Sequence, residues 1–134
     1  MDFTAPSTAG DPIVAPTNNT SLYLQYSSIM TASATGRKIS VQASATVAGL
    51  TIAVTAANPG ATNLQGAGGT GSTISSLGTT ATDIITGITS CATGTGSTDG
   101  SNLTYSIATT SASAYQNIRS GTSSITVTYT LADN

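Results

Sequence analysis

The sequence predicts an all-β protein, a single antiparallel β-sandwich of about seven strands. Three observations carry that prediction. Apolar and polar residues alternate with period two in one segment after another. Strong helix formers are scarce apart from Ala, which sits among β-branched residues suited to a pleated surface. Between the alternating segments stand Gly, Pro, Asn and Ser clusters that punctuate strands.

Along the chain, residues 1–19 carry Pro6, Pro12 and Pro16, so any strand there lies on an edge or is broken. A short piece around Ile13 and Val14 is the strand candidate in this extended segment. Residues 20–134 form the sandwich domain. Its first strand sets Leu22, Leu24 and Tyr26 on one face and Tyr23, Gln25 and Ser27 on the other. Ile39, Val41, Ala43 and Ala45 alternate with Ser40, Gln42, Ser44 and Thr46 in the next. Leu50, Ile52, Val54 and Ala56 follow and end at Asn58-Pro59-Gly60. Ile84, Ile85 and Ile88 mark a further strand, and Leu103, Tyr105 and Ile107 another. The last strand runs from Ser124 to Leu131, with Ile125, Val127, Tyr129 and Leu131 against Thr126, Thr128 and Thr130. The Gly- and Thr-rich stretches 60–76 and 93–101 read as flexible polar loops outside the core.

Composition limits function. The 134 residues hold no His, Glu or Trp, one Cys, and eight charged side chains with a net charge of −2. Three scattered cations, Arg37, Lys38 and Arg119, cannot build the basic face that nucleic acid requires. Cys91 has no partner for a disulfide, and no run of residues is long and apolar enough for a membrane span. Serine and threonine are abundant, but a hydroxyl nucleophile needs a base, and no His is present to act as one. The chain is therefore expected to be non-catalytic and to use no cofactor. Polarity supplied by hydroxyls rather than ions fits a secreted or cell-surface protein, an expectation from composition, since no leader is visible.

Two motifs have chemical readings that their context opposes. Gly66-Ala67-Gly68-Gly69-Thr70-Gly71 satisfies G-x-G-x-x-G, but no buried strand, following helix and acidic residue frame it, so a loop is expected. Asp99 and Asn102 offer oxygens to a cation, yet calcium takes six to eight oxygen ligands. A turn at Asp99-Gly100 is expected instead, and no metal.

The closing residues Ile118 to Asp133 resemble the ends of two groups of bacterial surface domains. In WxL domains a Gly-Thr turn and an alternating strand lead to Trp-x-Leu and Ser-Asp. Gly121-Thr122 and Tyr129-Thr130-Leu131-Ala132-Asp133 stand at those places here. Fimbrial subunits of the spore-coat-U type also end in an alternating Val/Thr strand with a Tyr near its end. The opening Asp2-Phe3-Thr4-Ala5-Pro6-Ser7 echoes the start of the first group. Trp is absent, so peptidoglycan binding does not carry over. The resemblance implies an Ig-like or pilin-like topology for the sandwich, at a bacterial surface.

The function expected is that of a structural subunit of a filament, coat or adhesive layer that contacts copies of itself or a related subunit. The last strand is uncharged up to Leu131 and free of Pro and Gly. At an edge it is a template for strand addition; in the centre of a sheet it is a core strand. The contact residues are Ile125, Val127, Tyr129 and Leu131, with Phe3, Ile13 and Val14 anchoring the N-terminal segment as the mobile partner. The alternative is a glycan-binding module using Tyr23, Tyr105 and Tyr115 with Gln116 and Asn117.

Overall fold

A computed structural model describes residues 1–134. The strands are β1 (Asn19–Leu24), β2 (Ser27–Ser28), β3 (Arg37–Ala43), β4 (Leu50–Ala56), β5 (Gln65–Gly66) and β6 (Thr70–Gly71). They continue with β7 (Thr73–Ile74), β8 (Thr82–Ile88), β9 (Cys91–Ala92), β10 (Ser101–Thr109) and β11 (Val127–Asp133). One short 3₁₀ turn, Ala114–Asn117, interrupts the connection from β10 to β11.

Two four-stranded sheets face each other, in the orders β1-β10-β4-β7 and β11-β3-β8-β6. A small third sheet, β2-β9-β5, is built from connecting segments. Every pairing is antiparallel. The all-β antiparallel sandwich expected from the alternation is the fold.

The alternation explains the core. In β3 the odd positions Ile39, Val41 and Ala43 are buried, and β4 contributes Val54 and Ala56. Leu103 comes from β10 and Ile84, Ile85 and Ile88 from β8. Cross-strand partners share a face, so the pairs Tyr105↔Val54 and Tyr129↔Val41 direct both tyrosines inward from opposite sheets. Their hydroxyls meet in a hydrogen bond across the sandwich.

The topology has an uncommon feature. Setting the small sheet aside, each strand lies in the opposite sheet from the strand before it. Neither large sheet therefore contains a hairpin between consecutive strands. In an Ig sandwich the first strand lies beside the second and the last beside the one preceding it. Here β1 lies beside β10 and β11 beside β3, so the two terminal strands have exchanged sheets.

Several boundaries differ from those the sequence predicts. Ala45 is exposed beyond the end of β3, and Tyr26 packs on the core from a position after β1. Ile125 precedes β11 and also packs on the core, while the strand runs on to Asp133. Ile13 and Val14 form no sheet strand; Val14 makes a single isolated bridge to Thr4.

The larger correction concerns the stretches read as flexible loops. Residues 60–76 supply β5, β6 and β7, and Leu77 just beyond is buried. Thr93, Asp99 and Ser101 are buried although polar. Glycine makes this close packing possible. A Cβ on Gly69, which has φ of +90°, would stand 2.6 Å from the Thr86 carbonyl oxygen, and one on Gly71 would strike the Ala56 backbone. The G-x-G-x-x-G stretch is thus a tight crossing between sheets. Ser72, at its corner, accepts a backbone bond from Ala56 in one sheet and donates one to Ile84 in the other.

Candidate functional site

The surface carries an open flank of the sandwich and a polar cleft in its loops. The flank bordered by β6 and β7 is closed, because the chain at Ser72 passes directly from one sheet to the other. The opposite edges are β1 and β11, and each pairs on one side only. Leu22, paired with buried Leu103, belongs to an inner face but is 48% exposed, and Leu131 on β11 is 37% exposed. Each edge strand therefore carries an inner-face leucine that the facing sheet leaves partly uncovered.

The structure places the expected contact residues in three settings. Ile125, Val127 and Tyr129 are half-buried against the core, and Leu131 is open. Phe3 and Ile13 are half-buried within the N-terminal segment, whereas Val14 is 52% exposed. Asn19 opens β1 and pairs with Tyr105, but up to Asn18 that segment pairs with neither sheet. Its ordering comes from two backbone bonds between Thr4 and Val14, of 3.0 and 2.9 Å, a turn at Thr8–Asp11, and the Ile13 amide donating to the Tyr115 hydroxyl at 3.0 Å. No hydrogen bond joins it to β11.

The residues expected to form a glycan platform are dispersed in role. Tyr105 is a correction: its ring packs on the core and its hydroxyl is engaged with Tyr129, so it presents no stacking face. Tyr23 is half-buried on β1 opposite Asn102. Tyr115, at the edge of exposure, spends its hydroxyl on Ile13. Gln116 and Asn117 are exposed in the 3₁₀ turn, and the Gln116 carbonyl accepts a bond from Arg119.

The polar cleft has a volume of about 470 Å³ and is lined by Thr62, Asn63, Leu64, Gln65, Gly94, Thr95, Gly96 and Asp99. Asp99 is only 8% exposed. Its carboxylate accepts from Asn63 Nδ2 at 3.0 Å on both oxygens, and Oδ2 also accepts from the Gly96 amide at 2.6 Å. The Asp99 amide returns a bond to the Gly96 carbonyl, closing a turn around the carboxylate, and Gln25 donates to that same carbonyl. Gly94 and Gly96 are required because a Cβ on either would press on the Asp99 carboxylate. Gly100, with φ of +87°, supplies the positive φ expected after Asp99.

Four of the remaining ionic groups make ordinary surface pairs. Arg37 Nε lies 2.6 Å from Asp133 and Lys38 Nζ 2.9 Å from Asp83, both across neighbouring strands. No group of three or more His, Cys, Asp or Glu side chains is placed to hold a metal ion. Cys91 is buried, and desolvation pushes its thiol pKa up, with a backbone bond involving Ser28 acting the other way. No family model, curated protein or solved structure matches the chain.

Sequence reasoning missed the cleft. The turn at Asp99-Gly100 was legible, but Asn63 lies 36 residues away and nothing local marks it as the partner.

Proposed function

We propose that this chain is a non-catalytic structural subunit of an extracellular filament or layer, joined to further copies of itself through its strand edges. The observation that carries the reading is the asymmetry of the sandwich: one flank stitched shut at Ser72, the other bordered by the edges of β1 and β11. An unpaired, flat, uncharged edge is a template for another strand unless something covers it. From Val127 to Ala132, β11 has no charge, proline or glycine to discourage pairing. Asp133, its one charge, is already paired with Arg37.

The occupant we favour is the N-terminal segment of a second copy. Before Asn19 it is free of both sheets, and Phe3, Ile13 and Val14 provide apolar side chains for the flank. Pro6, Pro12 and Pro16 limit pairing to the stretches between them. Covering the exposed parts of Leu22 and Leu131 would add roughly 1 kcal/mol each, alongside the new main-chain bonds.

Negative-stain electron microscopy and light scattering on the full chain test this. Regular assemblies are expected, and the exposed-site variant Leu131→Lys should reduce them while leaving circular dichroism unchanged. Lysine at Val127 or Tyr129 would test folding instead, since both side chains pack inward. A wild-type chain that stays monomeric at high concentration would overturn the proposal.

A further inference from the structure

We propose that the cleft around Asp99 binds a neutral carbohydrate through its hydroxyl groups, independently of any assembly at the strand edges. Leu64 is the one hydrophobic residue among the eight, so the cleft offers an apolar ligand little to bury against. Arg37, Lys38 and Arg119 are all absent from the lining, and the buried carboxylate opposes an anion. A cation is opposed as well, because Asp99 faces N–H groups: Asn63 Nδ2 touches both oxygens and the Gly96 amide touches Oδ2.

What remains is a surface that both donates and accepts without net demand for charge. The amides of Thr62, Asn63, Leu64, Gly94 and Thr95 make no hydrogen bond within the chain. The hydroxyls of Thr62 and Thr95 and the amide of Gln65 add groups of both kinds. A carboxylate has about four acceptor positions, and three are used here, leaving one on Oδ1. Sugar hydroxyls donate and accept at once, and a charged acceptor beside several neutral donors suits adjacent hydroxyls on one ring.

The cleft is also preorganised, which lowers the ordering cost of binding. The Asn63–Asp99 bonds tie the segment after β4 to the segment after β9, and Gln25 fixes Gly96 from the end of β1. Gly94 and Gly96 close tightly on the carboxylate. The cleft uses none of the tyrosines from which a glycan platform was expected.

The test is an amide-shift titration by NMR of the ¹⁵N-labelled full chain. D-galactose, D-mannose, D-glucose and N-acetyl-D-glucosamine are added in turn, with calcium chloride alone as a separate arm. At least one sugar should shift the amides of Thr62 to Gln65 and Gly94 to Gly96 saturably, with a dissociation constant on the order of 1 mM. Two variants then locate the site. Gln65→Ala alters an exposed side chain with no hydrogen bond in the protein, and Asp99→Asn removes the charge while keeping the shape. Each should weaken binding about tenfold, the effect of losing one good hydrogen bond, with amides of β3 and β8 unmoved as evidence of folding. No response from any sugar, unchanged affinity in Gln65→Ala, or the same shifts produced by calcium alone would each overturn the proposal. Light scattering on the same samples reports assembly separately, so the two proposals can fail independently.

Discussion

Tyr105 and Tyr129 join the two sheets through their hydroxyls, in a setting where most neighbours are aliphatic. Removing one hydroxyl leaves the other without its partner, at a cost of about 1–3 kcal/mol, whereas removing both leaves no orphan. Tyr105→Phe and Tyr129→Phe should therefore each lower stability by more than half the loss in the double variant. A double-mutant cycle with denaturant unfolding reads that coupling, and additive losses would show that the bond contributes little. The same burial governs alkaline behaviour. Desolvation raises the pKa of Tyr26, Tyr105 and Tyr129 above the ordinary value of about 10. In the unfolded chain these phenols ionise near that value, so above it the folded state holds more protons than the unfolded state. Their contribution is fully present below about pH 10 and falls as the pH rises further. The raised thiol of Cys91 acts in the same direction from about pH 8.5. Unfolding midpoints measured across this range should decline, and more gently in the double phenylalanine variant.

At the scale of elements, the alternating strands were legible and the glycine-rich crossing was not. In β3, Ile39, Val41 and Ala43 announce their buried face because side chains carry the periodic signal. In 66–71 the structural content lies in missing side chains, which period-two counting scores as nothing. Gly71 is there because the Ala56 backbone occupies the space of its Cβ, and Ser72 can then bridge the sheets. The cleft was obscured for a related reason: Asp99 is legible as a turn residue, but its partner Asn63 comes from a different connection. A paired comparison tests the crossing. Gly71→Ala places a methyl group against backbone that cannot move aside cheaply, and should cost about 1–3 kcal/mol. Gly60 has nothing within 4 Å of its would-be Cβ and no positive φ, so Gly60→Ala should stay within about 0.5 kcal/mol of the parent. Equal thermal shifts for the two would mean that residues 66–71 do not hold the sheets together.

The whole molecule shows what strand-level reading leaves open, namely which strand lies beside which. Period two tells each strand which face is buried, but many arrangements of the same strands satisfy that condition equally. Short hairpin turns would have linked neighbours locally, and neither large sheet has one between consecutive strands. Asn58-Pro59-Gly60 ends β4, yet the neighbours of β4 are β7 and β10. Even the shortest-range pairing in the large sheets, β6 with β8, joins Gly71 to Ile85, and β1 meets β10 by pairing Leu22 with Leu103. Closing such loops costs entropy before any contact is made, so a chain of this topology should fold in roughly milliseconds to seconds rather than microseconds. Throughout that time the nearly uncharged strands are unpaired at both edges, and intermolecular pairing competes with folding. Stopped-flow refolding by tyrosine fluorescence should give a slow major phase whose yield of monomer falls as protein concentration rises. Gly71→Ala, if the crossing forms late, should speed unfolding and leave the folding rate nearly unchanged. Refolding complete within microseconds would contradict the non-local pairing from which the slow phase is derived.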